Sequence, residues 1–376
     1  MKKTVAIQKC NSYNVESVYN AVKKLIELSP PPNVSGKTVL IKPNILSPKK
    51  PEAAVCTHPV VVGAVVKCFI ELGATKVIVG ESPATAASTF AAKTTGMYEQ
   101  VIQNGGIWAD FSKEVNISAP QAKLAHNFAF AEPFAQADII VSVAKLKSHQ
   151  LMAYTGAMKN LFGLVVGLKK AQMHYRFPNK KDFATYLTDL NIAAKAQYAI
   201  MDAIVGMDGP GGPGNGNPIS MNFLAASTNI LALDWICARA AGYNPTEVPN
   251  LNDAMERKIW LNSEDEIQLV GCNFEEIKCS TFKAVHLKAT AHSLGKMLPP
   301  FVDSLARLIF ERNPHFDKKR CIKCGKCIEI CPPKILSFAV NKNGSKSHIQ
   351  IQRSQCLRCY CCHEICPVEA ITLGRF

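Results

Sequence analysis

Short apolar runs and helical periodicities alternate along the first three quarters of the chain. TVAIQ reads as a strand, and Val15, Val18, Val22 and Leu25 then fall at helical spacing, predicting a helix over Val15–Leu28 with those four on one face. After a Ser- and Pro-rich loop, Thr38–Ile41 reads as a buried strand that stops at Pro43, which has no N–H to give a ladder. HPVVVGAVVKCFIELG carries Pro59 where a first helical residue belongs and Gly73 where helices end. Lys76–Val79 is the next strand. Strand, helix and strand joined by short loops make a βαβ unit and predict an α/β fold with a mostly parallel sheet and flanking helices. Residues 84–135 are weakly periodic, with a helix expected over Met97–Asn104. Ile139–Val143, Tyr198–Met201, NFLAAS and IQLVG read as further strands, and Ile230–Ala241 as a helix closed by Gly242. PPFVDSLARLIFERNP, with Pro at each end, reads as an amphipathic linker helix whose Phe301, Leu305 and Leu308 or Ile309 can pack on the first domain.

Strand after strand ends in polar, chemically capable residues: Lys42 and Asn44, Glu81 and Ser82, Lys145 with Lys147 and His149, and Asp202. Open parallel sheets bind ligands outside the carboxyl ends of their strands. Between Asp138 and Asp182 the chain has eight Lys/Arg and no Asp or Glu. Lys180 and Lys181 read as a solvated face. Lys145, Lys147 and Lys159 sit among apolar and Gly residues, where an ammonium suits an anion or a charged cofactor group. The expectation is a concave site binding a small anionic ligand through Lys42, Asn44, Glu81, Ser82, Lys159, Asn160, Asp202 and Asp208. Lys145, Lys147 and His149 are its candidate catalytic residues, with His149 as proton donor. GPGGPGNGNP, residues 209–218, is neither a dinucleotide fingerprint nor a Walker A loop. It reads as a close-approach loop or a surface excursion, and the flanking Asp202 and Asp208 as metal or lysine partners or simple turn formers. His58 and His174 are further candidate ligands, with packing ahead of Pro59 the better role for His58.

The tail carries the sharpest motif. CIKCGKCIEICP places Cys321, Cys324, Cys327 and Cys331, and CLRCYCCHEICP places Cys356, Cys359, Cys362 and Cys366. This is C-x-x-C-x-x-C-x-x-x-C-P twice, the spacing in which three thiolates wrap one cubane and the fourth reaches the other. Cys321, Cys324, Cys327 and Cys366 are expected to hold one 4Fe–4S cluster, and Cys356, Cys359, Cys362 and Cys331 a second. Zinc sites come as separated C-x-x-C pairs, which neither run resembles. Cys361 interrupts the second run and reads as a small wall residue. The repeat resembles the two-cluster bacterial ferredoxin module over residues 312–376.

Composition refines this picture. No apolar run reaches a membrane span, and MKKTVAIQKC lacks the apolar core of a secretory signal, so a cytoplasmic protein is expected. The net charge is +14, of which eleven Lys/Arg less four Asp/Glu from His315 onward give +7. Two clusters carrying roughly −2 each offset much of that, and the remainder suits an acidic electron donor or acceptor protein. No nucleic-acid-binding motif is present.

VLIKPNI, HPVVVGAVVKCFIELGATKVIVGESP, ADIIVSVAKLKSH, GAMKNLFG and MDAIVGMDGPGGPGNGNP together resemble domain of unknown function 362, over about residues 36–240. The resemblance implies an α/β domain fused to a dicluster ferredoxin, with the Lys, Asn, His and Asp residues above lining one site. The domains expected are 1–285, a linker 286–311 and a ferredoxin domain 312–376. The expected function is electron transfer from the two clusters to an anionic substrate or cofactor at the strand ends, with the ferredoxin domain docked on that face. The alternatives are a carrier or docking subunit, or a non-redox enzyme with structural clusters. If the chain is an enzyme, a ferredoxin-type oxidoreductase is the class it fits.

Overall fold

The computed structural model describes residues 2–287, 312–341 and 344–374. The linker helix expected over 299–314 falls almost wholly outside them. The chain forms two compact units, Met1–Lys170 with Asn179–Val285, and Ala171–Pro178 with His286–Phe376.

The first unit is α/β. Its strands are β1 (Lys3–Lys9), β2 (Thr38–Pro43), β3 (Lys76–Val79), β4 (Ile107–Trp108), β5 (Glu114–Ser118), β6 (Asn127–Ala131), β7 (Ile139–His149), β8 (Ala153–Thr155), β9 (Tyr198–Asp208), β10 (Asn217–Ser227) and β11 (Ile267–Gly271). The main sheet runs β11-β1-β10-β9-β7-β2-β3-β4, with β8 added beside β7, while β5 and β6 form a separate hairpin. β9, β7, β2, β3 and β4 pair in parallel, as do β1 and β11. β10 runs antiparallel between β9 and β1. β2, β3, β7 and β9 are buried on both faces along most of their length, which is why their apolar stretches read as continuous runs.

The helices are α1 (Val15–Leu28), α2 (Pro59–Glu71), α3 (Ser88–Thr94), α4 (Met97–Gln103), α5 (Ala157–Asn160), α6 (Lys169–Arg176), most of whose residues belong to the second unit, α7 (Lys180–Ala194), α8 (Ile230–Ala240) and α9 (Pro249–Glu256). The Asn14 side chain caps α1 by accepting from Ser17 N–H at 3.1 Å. Val18, Ala21, Val22, Leu25 and Ile26 are the buried face of α1, each large side chain contributing about 1.5–3 kcal/mol. Val15, expected on that face, lies 62% exposed in the first turn. Polar Asn179 caps α7, and Phe183 to Ala194 is then buried without a break. Lys180 and Lys181 therefore belong to the first turn of an interior helix.

Two strands run further than their apolar cores predict. β7 continues through Lys145, Lys147 and His149 because β8 and β9 pair with that segment. β9 continues through Asp202 to Asp208 because β10 supplies a partner along its length. The Gly-Pro loop is thus the turn of a β9–β10 hairpin.

The second unit pairs β12 (Asn313–Phe316) with β15 (Ile371–Gly374), and β13 (Leu336–Val340) with β14 (Lys346–Ile351), both antiparallel. Its short helices are α10 (Lys326–Ile330) and α11 (Cys361–Glu364). The two cysteine runs share a backbone. Lys323, Gly325 and Lys334 of the first have φ of 58°, 80° and 54°, and their counterparts Arg358, Tyr360 and Glu369 have 53°, 63° and 53°. Among the described residues no helix is long and apolar enough to cross a membrane.

Candidate functional site

At the carboxyl ends of β2, β3, β7 and β9 the structure gathers the polar residues singled out above, within the interior. The Lys42 ammonium is fully buried. It pairs with Glu81 and donates to Pro43 O at 2.6 Å and to Asn160 Oδ1 at 3.2 Å, which occupies its three N–H groups. Asn160 in turn donates to Lys42 O (2.8 Å) and Ser142 Oγ (3.0 Å). Asn44 Nδ2 donates to the same Asn160 oxygen at 3.3 Å, and Asn44 Oδ1 accepts from Lys147 Nζ at 2.8 Å. Lys147 also donates to Val55 O at 2.7 Å. One continuous network therefore links Glu81, Lys42, Asn160, Asn44 and Lys147. Gly163 packs against Glu81 and Lys42, and a Cβ there would overlap both.

Lys145 belongs to a second cluster. Its ammonium meets Asp202 Oδ2 at 2.9 Å and Tyr13 Oη at 2.7 Å. Tyr13 donates to Asp202 Oδ1 at 2.9 Å and accepts from Val205 N–H at 3.1 Å. His58 N–H completes the Asp202 carboxylate at 2.9 Å, and the imidazole stacks on Tyr13 at 3.6 Å between centroids. His58 Nδ1 caps α2 by accepting from Val60 N–H at 3.3 Å. Its imidazole pKa is pushed down to about 4 by burial, with Asp202 pulling it up and Lys145 pushing it down. Burial likewise lowers Lys42 and Lys145, opposed by Glu81 and Asp202 respectively.

The remaining expected residues hold loops. Ser82 Oγ accepts from Gly167 N–H at 2.8 Å. His149 is buried, and its Nδ1 accepts from Leu151 and Met152 N–H at 3.0 and 3.2 Å, so the ring proton sits on Nε2. Asp208 Oδ2 accepts from Lys283 N–H at 2.9 Å. Lys159 is half-buried on α5. The hairpin turn is tied down by Ser148 Oγ to Gly209 O (2.7 Å) and by Lys49 Nζ to Gly214 O (2.9 Å) and Asn215 Oδ1 (2.8 Å). Gly212 lies so close to Ser148 that a side chain would collide with it, which accounts for glycine in a close-approach turn.

Three participants escaped the sequence reading of the site. Tyr13 lies in a loop far upstream, with no pattern to mark it. Lys170, half-buried, donates to Ser82 O and to Val165 O at 2.8 Å. Burial lowers its pKa to about 8, with Glu81 raising it and Lys42 lowering it. Asp234 is buried in α8, and accepts from Ala157 and Met158 N–H at 2.7 and 2.8 Å. It thereby fixes the start of α5, which carries Asn160. Its carboxyl is pushed up to about 7 by burial, those two hydrogen bonds acting against it.

In the second unit the cysteines fall into two sets. Cys321, Cys324, Cys327 and Cys366 line one cavity, with Phe316, Ile322, Ile349 and Ile371 in its wall. Cys331, Cys356, Cys359 and Cys362 line another, with Ile335, Leu336, Leu357 and Arg358. Burial raises the Cys327 thiol to about 11, and Cys324, Cys321 and Cys366 add to it. Burial raises Cys362 too, followed by Cys359, Cys356, Cys327 and Cys331. Held as thiolates, four such groups in an apolar pocket would need a cationic core between them, which an iron–sulfur cubane would supply. Cys361 is buried outside the second cavity wall, its Sγ 4.0 Å from Cys359 O.

Comparison with known proteins agrees with this division. Residues 39–239 match the family described as domain of unknown function (DUF362), and residues 320–370 match the 4Fe-4S dicluster domain. A thylakoid-associated protein, sll1697, of Synechocystis sp. is 30% identical over 275 residues, covering 70% of this chain and 81% of that protein. The lactate racemase apoprotein from Thermoanaerobacterium thermosaccharolyticum aligns at a TM-score of 0.39 and 13% identity. That alignment covers 64% of this chain and 57% of the racemase, so the chain spans a little over half of that structure.

Proposed function

The chain belongs to the DUF362 family and carries a 4Fe-4S dicluster-type domain, and from that premise we propose that it is a cytoplasmic iron–sulfur redox protein passing electrons between two 4Fe–4S clusters and an anionic substrate or cofactor at the strand ends of the first unit. The observation that carries this reading is the pair of four-cysteine cavities. Cys321, Cys324, Cys327 and Cys366 hold one cluster, and Cys356, Cys359, Cys362 and Cys331 the other. Bound there, the clusters supply one-electron transfer. Fusion in one chain keeps the cysteine domain at high effective concentration near the family domain, an arrangement a diffusing carrier does not need.

In the first unit, the Lys42–Asn160–Asn44–Lys147 network orders the strand ends, and Lys159 and Lys170 add positive charge around them. Lys170, with its pKa near 8, can both hold an anion and release a proton close to neutrality. His149, with Nδ1 committed to two backbone N–H groups, offers the ligand Nε2–H as a hydrogen-bond donor. One observation favours the carrier reading: the Lys42 ammonium spends all its donors inside the protein, as a purely structural lysine does. The test is iron, sulfide and zinc analysis of anaerobically reconstituted chain, with mass spectrometry of any small molecule that co-purifies. About eight iron and eight sulfide with an anionic ligand lost in Lys147→Glu supports the proposal. Stoichiometric zinc without sulfide refutes it, and full clusters with no retained ligand favour the carrier.

A further inference from the structure

The two cysteine loops share a backbone but differ in exposure. Ile322, Lys323 and Cys324 of the first loop are all exposed, and Ile322, 61% exposed, also lines the first cavity. At the matching positions of the second loop, Leu357 and Cys359 are half-buried and Arg358 is buried. The first cavity therefore reaches solvent through a thiol and an apolar side chain, and the second is screened by its own loop.

The chain around that opening is basic. Lys318, Lys319 and Arg320 are exposed in a turn that leads into Cys321, and Lys323 is exposed just beyond it. The nearby carboxylates are already engaged. Asp317 Oδ1 accepts from Lys319 and Arg320 N–H at 2.8 and 3.3 Å, and Glu369 faces Arg320 at 3.9 Å.

From this we infer that the surface formed by Lys318, Lys319, Ile322, Lys323 and Cys324 is the docking site for an acidic electron-carrier protein, and that the first cavity is where its electrons cross. The inference rests on the redox reading above and adds to it a surface and an order of use. A ring of like charge around a small apolar contact steers an oppositely charged partner and fixes its approach. Electron exchange needs the partner close to a cluster edge, which Cys324 offers and the second loop does not. An anionic lipid surface would match the charge but has no use for an exposed thiol at a cavity mouth.

The experiment mixes the anaerobically reconstituted full chain with an acidic flavodoxin reduced to its hydroquinone, and follows cluster reduction by stopped flow against ionic strength. Wild type, a Lys318→Glu/Lys319→Glu/Lys323→Glu variant and a control, Lys346→Glu/Arg353→Glu, are compared after iron and sulfide analysis of each. The first variant is expected to react about tenfold or more slowly at low salt, with the gap closing at high salt, unchanged cluster content and unchanged reduction by dithionite. The control stays within about twofold of wild type. Equal rates for wild type and the first variant, or equal slowing in the control, overturn the docking surface while leaving the redox reading intact. Wild type devoid of iron and sulfide overturns both. Charge-dependent sedimentation with phosphatidylglycerol vesicles, together with equal electron-transfer rates, would instead assign the patch to a lipid surface.

Discussion

Replacing Glu81 by Gln tests the buried strand-end network. Lys42 has no exposed surface and Glu81 is 3% exposed, so the substitution strands an ammonium in the interior. Breaking a buried pair at one end costs about 3–5 kcal/mol, a large share of a typical domain stability of about 5–15 kcal/mol. Burial lowers the Lys42 pKa, and Glu81 works against that lowering. Without Glu81 the lowering deepens, so folded Lys42 sheds its proton where the unfolded chain still holds one. The variant therefore gains stability as pH rises from that depressed value toward the ordinary lysine value of about 10.4. Its deficit relative to wild type is greatest near neutrality and narrows in alkali. Urea unfolding followed by tryptophan fluorescence reads this directly, since Trp108, Trp235 and Trp260 are the three tryptophans of the chain and all lie in the first unit. A paired Lys42→Met/Glu81→Leu change should recover most of the loss, because it leaves no buried charge. A deficit under about 1 kcal/mol at pH 7, or one that does not change with pH, would refute the reasoning.

Three further outcomes are expected. His58→Asn keeps a side-chain cap on α2 but removes a group whose folded pKa, about 4, lies below the unfolded value of about 6.5. Wild type should lose stability as pH falls through that window, and the variant should lose less in the same urea titrations. Asp234→Asn acts at the opposite sign. The folded carboxyl at about 7 holds a proton that the unfolded chain releases near 3.9, so wild type loses stability as pH rises between the two, and the variant should not. Cys361→Ala should retain full iron and sulfide, whereas Cys324→Ala should lose about half of each, as measured on anaerobically reconstituted protein.

The parts of the fold that were legible were those set by local pattern. Val15–Leu28 and Lys76–Val79 have the predicted bounds, because a single apolar stripe or a short buried run fixes each. β7 and β9 were read too short, since Lys145, Lys147 and Asp202 look like strand-stopping polar residues. Their charges are tolerated inside the sheet only through partners brought by tertiary structure: Tyr13 and Asp202 for Lys145, Asn44 and Val55 for Lys147. No local signal marks those partners. Of the five residues expected around one concave site, Lys42, Asn44 and Lys147 share a hydrogen-bonded interior network, Lys145 belongs to a neighbouring one, and Lys159 lies half-buried on α5. α7 was missed because it is buried all round after its first turn and intersperses Thr185, Thr188, Asp189 and Asn191 among its apolar residues, which removes the stripe that periodicity detects. The cysteine repeat was legible as a dicluster-type domain because its spacing is itself the family's motif.

The central claim concerns two clusters that exchange electrons within one chain. Its most direct test is electron paramagnetic resonance of the anaerobically reconstituted full chain, reduced with dithionite and integrated against a spin standard. The account predicts about two spins per chain with the broadening of two interacting 4Fe–4S centres, falling to about one unbroadened spin in Cys324→Ala. One spin per wild-type chain, or a reduced protein with iron but no such signal, would contradict it.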